Sequence, residues 1–478
     1  MRILGVNETT HDAAIALLDG KSILFAGHAE RYSKQKNDWF TNDALIDDAL
    51  TYGVPDIIAY YEKPWLKRAR IVLHGGFGGS RPYFKNHPKL KGIPIKYFKH
   101  HHSHAAAGYY TSKFDSAAVV VLDAIGEFET STIWVGKGEK LKQVYSQKYP
   151  VSFGLFYSAF TDLIGLKPNE EEYIMMGMAA YGNAKRFYNK VNSYFPSIDK
   201  QKYGFHKGII DWGEAITDEQ KFDIAAAAQK VYEDRLMEFM EFAIAITGQR
   251  RLVFMGGCAL NASANTKLWD IFYDVWIMPN PGDAGSALGA AAALYGNHVE
   301  WQGPYLGHAI GSDYPVDDIL NSLVENGIAP VANGRAEYGP RAFGNRSILA
   351  DPRDPNIKDK VNLIKKRELF RPFAPVVLEE HASEWFDMKA TSPYMQYTFV
   401  CKQPNVIPSV VHADGTSRVQ TVNQKQHPGL YMLLKKWHAI TGVPVLLNTS
   451  LNIKGQPLLN DLIDVDEWIK TYSQQITL

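Results

Sequence analysis

The chain has 478 residues and only two cysteines, Cys258 and Cys401, which stand far apart. No disulfide framework can be built from them, and the natural setting is a reducing, cytoplasmic one. An excess of charge of either sign is also missing: 51 Lys plus Arg meet 51 Asp plus Glu. No global field therefore draws the protein to a nucleic-acid backbone or an anionic membrane. Apolar runs of about 18 residues, the length that spans a bilayer, are absent. The opening "MRILGVNETTHDAAIALLDG" lacks the apolar core and cleavage site of a secretory signal. No Walker A loop exists, since Ile15 stands where "DGKS" at 19–22 would need its first glycine.

What remains is an ordinary globular composition, 46% apolar and 21% charged, long enough for two or three domains. "RILGVN", "AAIALLD" and "KSILFAGH" read as three short strands in a meander, and "AAVVVLDAIGE" repeats the buried strand with an acid at its end. Residues 151–250 turn helical, most clearly in "DIAAAAQKVYEDRLMEFMEFAIAIT". Alternation returns in "RRLVFMGGCALN" and "DVWIMPNPGDAGSALGAA". Acids where strands run into loops, twice over, predict a two-lobed α/β fold with its site between the lobes. "NHVEWQGPYLGHAIGSDYPVDD" reads as a linker, and "HGGFGGSR" at 74–81 as a loop. The organisation expected is residues 1–300 as one domain and 301–478 as a second.

Four of fifteen histidines fall within five residues, "HHHSH" at 100–104. On a helix His100 and His104 share a face, where they fit either a first-row metal or a plain exposed helix start. Asp123 and Asp283 at strand ends would complete a mixed N/O ligand set, or else merely cap turns. Glycines in "MGGCALN" and "GDAGSALGAA" precede helix starts, a place for phosphates and equally for tight turns. In "GRAEYGPRAFGNRSILADPR" and "KKRELFRPFAP", arginines stand among glycines and prolines instead of along a polar helix face, suiting a grip on phosphate or carboxylate.

The ordered set "THDAA", "ERYSKQK", "HHHSHAAA", "LDAIGE", "MGMAAYG", "GGCALN", "GDAGSALGAA", "EYGPRAFGNRSILADPR", "FRPFAP", "DGTSRVQTV" and "VPVLLNTSLN" resembles the NodU/CmcH carbamoyltransferases. The resemblance implies an actin-like, Kae1-like ATPase domain followed by a smaller α/β YrdC-like domain. It implies ATP-dependent transfer from carbamoyl phosphate, through carbamoyladenylate, to a hydroxyl of a small molecule: a sugar or antibiotic, or a 5-hydroxymethylcytosine nucleotide. A tRNA threonylcarbamoyladenosine-type transferase of the same superfamily is the alternative, and neutral charge argues against tRNA or duplex DNA. The implied metal, Fe(II) or else Mn or Zn, falls to His100, His104, Asp123 and Asp283, with ATP entering with Mg. His11 is implied as base or hydroxyl positioner, and Lys36 as a neutraliser of adenylate charge. Lys366, Arg371, Arg418, Ser450 and Asn452 are implied for carbamoyl phosphate and adenylate. Gly126, Glu127, Gly256, Gly257, Asn261, Gly285, Ser286, Arg341 and Arg346 are the further nucleotide and donor candidates. A homodimer is implied as well. The chain departs from the family pattern at Ala124, Ile174 and Gln456, where glycine, lysine and glutamate are usual.

Overall fold

The computed structural model describes residues 1–73, 81–311, 313–368 and 370–472, so most of "HGGFGGSR" lies outside it. The meander expected at the amino terminus forms β1 (Arg2–Asn7), β2 (Ala14–Asp19) and β3 (Ser22–His28), with β4 (Ile57–Tyr60) and β5 (Ile95–Tyr97) on the far side of β1. The order is β3-β2-β1-β4-β5, antiparallel through the meander and parallel from β1 to β5. Parallel neighbours require crossovers, and helices supply them.

The same plan recurs in β6 (Ser116–Gly126), β7 (Glu129–Lys137), β8 (Lys140–Lys148), β9 (Arg251–Met255) and β10 (Asp274–Trp276). Their order, β8-β7-β6-β9-β10, again joins an antiparallel meander to a parallel half. Two copies of one five-stranded unit, each opening on a hairpin, make the two-lobed α/β arrangement expected from the sequence.

Between the sheets run the helices His100–Thr111, buried along nearly its whole length, and Ser286–Tyr295, buried as far as Ala292; both are rich in alanine. Small residues let them meet closely. A side chain at Gly289 would put its Cβ 1.8 Å from the Ser103 carbonyl oxygen. The second helix follows β10 yet packs on β1, where Gly5 faces the Ala287 carbonyl. These two helices tie the lobes together and carry site side chains at or just before their first turns.

The stretch expected as a linker contains β11 (Tyr305–Ile310), paired with β13 (Gly334–Glu337). Its order comes from Leu306 and Ile310, which are buried, and from Arg335, which donates to the Gly307 carbonyl at 3.1 Å. A third sheet follows, from β12 (Ile328–Ala332), β14 (Arg346–Ala350), β15 (Ala374–Leu378), β18 (Gln420–Val422) and β19 (Val445–Ser450), in the order β12-β14-β19-β15-β18. A small ribbon of β16 (Thr398–Val400) and β17 (Thr416–Arg418) lies beside it. Cross-connections are specific: Asn265 donates to the Gln396 carbonyl at 3.1 Å, and the Tyr338 hydroxyl to the Ala284 carbonyl at 2.6 Å. Among the described residues no helix is long and apolar enough to cross a membrane.

Candidate active site

The His100–Thr111 helix has no side-chain cap of its own at Lys99. Glu127 does that work from the turn after β6: its carboxylate accepts the His100 N–H at 3.2 Å and the Lys63 N–H at 2.9 Å. Gly126 is required beside it, because a Cβ there would sit 2.3 Å from the His100 ring. One helical turn on, His104 faces the same way. β6 brings Asp123, and the turn before the Ser286–Tyr295 helix brings Asp283.

The four side chains converge, all buried, with one ligand atom each inside 4.8 Å. The two Nε2 atoms are 3.0 Å apart; His100 stands 3.0 Å from Asp123 and 3.4 Å from Asp283, and His104 3.2 Å from Asp283. Ligands bound about 2.1 Å from one shared ion stand about 3.0 to 3.4 Å from each other, so the spacings fit a single first-row metal. Burial alone would strip charge from the cluster. Burial lowers the His100 imidazole, but Asp283 and Asp123 outweigh it and hold it well above its ordinary value. Burial raises the Asp283 carboxyl, and His100 and His11 overcome that to hold it well below.

His11 reaches the same acid from the loop between β1 and β2. Its Nε2 is 3.8 Å from Asp283 and its Nδ1 2.9 Å from Asp12, with the side chain 46% exposed. Burial works against its charge, yet Asp283, Asp12 and Asp123 raise the imidazole to about 10. It is the one histidine of the group open to a molecule arriving from solvent.

A second cluster forms in the carboxy-terminal part. Lys365, Arg341, Arg367, Arg371 and Arg418 come from three separate segments and bring like charges together. Burial, followed by Arg341, Arg367 and Arg371, pushes Arg418 well down; burial, followed by Arg367, Arg371 and Lys36, does the same to Lys365. Lys365 donates to the Ser450 carbonyl at 2.5 Å, the Ser450 hydroxyl at 3.1 Å and Asn452 Oδ1 at 2.7 Å. Arg367 lies over Phe373 and donates to Asn362 at 2.6 Å, leaving its buried Nη2 without a partner. Among the described residues the one carboxylate bonded to any of the five is exposed Glu368, 3.5 Å from Arg371. Like charges gathered in half-buried positions with so little counter-charge are costly, and an anion is one way to relieve that cost.

Residues 83–292 match the family model for the carbamoyltransferase N-terminus, and 320–476 that for the carbamoyltransferase C-terminus. The chain belongs to the carbamoyltransferase family. It is similar to nodulation protein NolNO of Sinorhizobium fredii, 32% identical with 96% of this chain and 76% of that one covered. Nodulation protein NolO of Bradyrhizobium diazoefficiens is also 32% identical, over 76% of this chain and 74% of its own. Nodulation protein U of Rhizobium tropici is 28% identical, over 98% and 94%. Among solved structures, the (R)-2-hydroxyglutaryl-CoA dehydratase component A of Acidaminococcus fermentans covers 62% of this chain and 98% of its own, at 14% identity and TM-score 0.37. At that distance it adds nothing to the topology already described.

In this carbamoyltransferase several residues expected to bind ligand have other work. Arg346 is fully buried, and its guanidinium donates to the carbonyls of Asn333, Gly334, Asn345, His308 and Asn460; that arginine braces the fold. Lys366, in left-handed backbone at φ 48°, turns its ammonium over the Tyr472 ring, and its neighbour Lys365 is the lysine on Ser450 and Asn452. Glu127 spends its carboxylate on backbone N–H groups. Asn261 caps the next turn through Ala264 and trades bonds with Gln229. Gly285 packs against the Asn280 carbonyl, and Gly256, at φ 91°, against that of Leu122. Gly257 directs its N–H to Asp123 at 3.4 Å, and the buried Ser286 hydroxyl has no partner. Lys36 is exposed but close enough to Lys365 to lower it. Ile174, where the family pattern has lysine, is buried in the core. Sequence reasoning missed Lys365, and also Tyr173, whose ring lies 5.0 Å from the Arg371 guanidinium.

Proposed function

We propose that this carbamoyltransferase is ATP-dependent and moves the carbamoyl group of carbamoyl phosphate, through carbamoyladenylate, to a hydroxyl of a small molecule. The observation that carries the reading is the cationic cluster around Lys365, which gathers five basic side chains with almost no acid of its own. Water releases phosphate from carbamoyl phosphate, leaving carbamate. The carbamate oxygen attacks the α-phosphorus of ATP and displaces pyrophosphate. Lys365, Arg341, Arg367, Arg371 and Arg418 offset the charge that gathers there, with Ser450 and Asn452 orienting Lys365. The acceptor hydroxyl then attacks the carbamoyl carbon, AMP leaves, and His11 takes the hydroxyl proton.

His100, His104, Asp123 and Asp283 would hold Fe(II), with Mn(II) or Zn(II) as the other ions such a mixed set accepts. When bound, the ion would supply positive charge and Lewis acidity at these four side chains. The same charge would relieve the acids' pull on His11 and leave its imidazole free to accept a proton. Balanced charge, 51 against 51, favours a free sugar or hydroxymethylated nucleotide over a nucleic-acid polymer as acceptor. Two free cysteines suit a cytoplasmic setting.

The test is to incubate metal-loaded protein with ATP, Mg, carbamoyl phosphate and a panel of sugar and hydroxymethyl acceptors, with products read by mass spectrometry. A carbamoyl mass increment on one class, with AMP released in step, is the expected result. No AMP with any acceptor would refute the reading.

A further inference from the structure

The loop that presents His11 is held in a shape its residues disfavour. Thr9 and Asp12 both lie in left-handed backbone, at φ 75° and 62°, where non-glycine side chains crowd the following carbonyl. Such a turn persists only if its surroundings over-determine it, and the bonds are there. The Thr9 N–H reaches the Trp39 carbonyl and the Ala13 N–H the Asp38 carbonyl, each at 2.7 Å. The Tyr60 hydroxyl donates to the Glu8 carbonyl at 2.8 Å.

The Thr9 carbonyl is met by a cation. Lys67 Nζ donates to it at 2.8 Å, to the Thr9 hydroxyl at 3.3 Å, and to Glu62 Oε1 at 2.8 Å. Both partners are shielded, with the Lys67 side chain 13% exposed and that of Glu62 3%. Lys67 comes from the helix Pro64–Leu73, none of whose residues is buried. A helix so lightly seated has little reason to send its ammonium inward except for what it meets there. Glu62 keeps that ammonium in place, and the Thr9 hydroxyl bridges to the same carboxylate at 3.3 Å.

We propose that Lys67 is a positioning residue for carbamoyl transfer: by holding the carbonyl of left-handed Thr9, it fixes His11, two residues on, against Asp283. Lys67 touches neither the metal ligands nor the Lys365 cluster, so it serves the step in which His11 acts and leaves adenylate formation alone. This rests on the reading of His11 as the acceptor's proton carrier.

The experiment uses metal-loaded, full-length protein and the variants Lys67→Met, Lys67→Arg and Glu62→Gln. Pyrophosphate release is followed without acceptor, carbamoyl transfer with acceptor, and bound metal by elemental analysis. For Lys67→Met, transfer kcat should fall about tenfold to hundredfold, the loss expected when a reacting group shifts by about an ångström. Acceptor KM, pyrophosphate release and metal content should hold, and Lys67→Arg should recover part of the rate. Glu62→Gln should show the same split more weakly, and it carries the test if Lys67→Met does not fold. Transfer at the wild-type rate in Lys67→Met, or transfer and pyrophosphate release falling together in both variants, would overturn the proposal. Wild-type protein that releases pyrophosphate but carbamoylates nothing would defeat the reading of function instead, an outcome that needs no variant to be observed.

Discussion

Two charge clusters, one buried and one half-buried, face the same physical problem and solve it differently. At His100, His104, Asp123 and Asp283 the charges are of both signs and sit within hydrogen-bond reach of one another. Protons can fill that site, so it holds together without an ion. Around Lys365 and Arg418 the charges are all positive. Among the described residues only exposed Glu368, at Arg371, offsets them, and losing protons or binding an anion would relieve the repulsion. The first site is therefore selective for what replaces its protons. The second would gain most from an anion that offsets its like charges.

The largest effect should come from breaking the mixed-sign site. His104→Ala removes one ligand and leaves His100 with two acids, and metal content measured by elemental analysis should drop to near zero. Transfer should fall by about a hundredfold or more, since the ligand set sets both ion affinity and geometry. Far-UV circular dichroism should change little, because alanine is a strong helix former and the helix is already alanine-rich.

The same-sign site should answer in two directions at once. Arg418→Met takes away a half-buried cation whose buried Nε has no partner. The ligand-free protein should melt higher, because like-charge repulsion and a desolvation cost are removed together. Pyrophosphate release should meanwhile fall about 30- to 1000-fold, corresponding to roughly 2–4 kcal/mol of lost phosphate interaction. A variant that lost both stability and activity would mean the cluster braces the fold and does not await an anion. Wild-type protein carries a milder form of the same test. Pyrophosphate at about a hundred times its dissociation constant should stabilise it by about 2.7 kcal/mol in thermal melts, and Arg418→Met by much less.

The two clusters differ in how far the sequence reveals them. The i, i+4 spacing of His100 and His104 is enough by itself to fix a shared helix face. Strand-end acids in two repeats of one pattern point to a common cleft, and the two sheets have one topology. In the arginine block, spacing says much less. Arg341 and Arg346 stand five residues apart in one glycine-rich stretch, yet Arg341 has no hydrogen-bond partner among the described residues and Arg346 is spent on five carbonyls. Lys365 and Lys366 are adjacent at a helix end, and the left-handed turn at Lys366 decides which one faces Ser450. Irregular backbone carries no period, so a side chain's direction there cannot be read from sequence. Glu127 shows the opposite case: its place at a strand end is plain, but its carboxylate serves the backbone.

The smallest effect would sharpen the comparison most, because it measures how far the mixed-sign site feels its own ion. In metal-free protein the three acids near His11 should hold its imidazole protonated up to about pH 10, although its half-exposed ring lets water screen part of that pull. The pKa is raised on folding, so the stability it brings is fully present below the unfolded value near 6.5 and drains away as pH climbs through about 10. A divalent ion on the four ligands would offset the carboxylate charge and bring His11 down toward neutrality, where a general base works best. NMR titration of the His11 ring, assigned with a His11→Asn variant, should show a fall of more than about one unit when metal is added. An identical titration with and without metal would mean that His11 senses Asp12 alone, and that its link to the ion through Asp283 has no energetic weight.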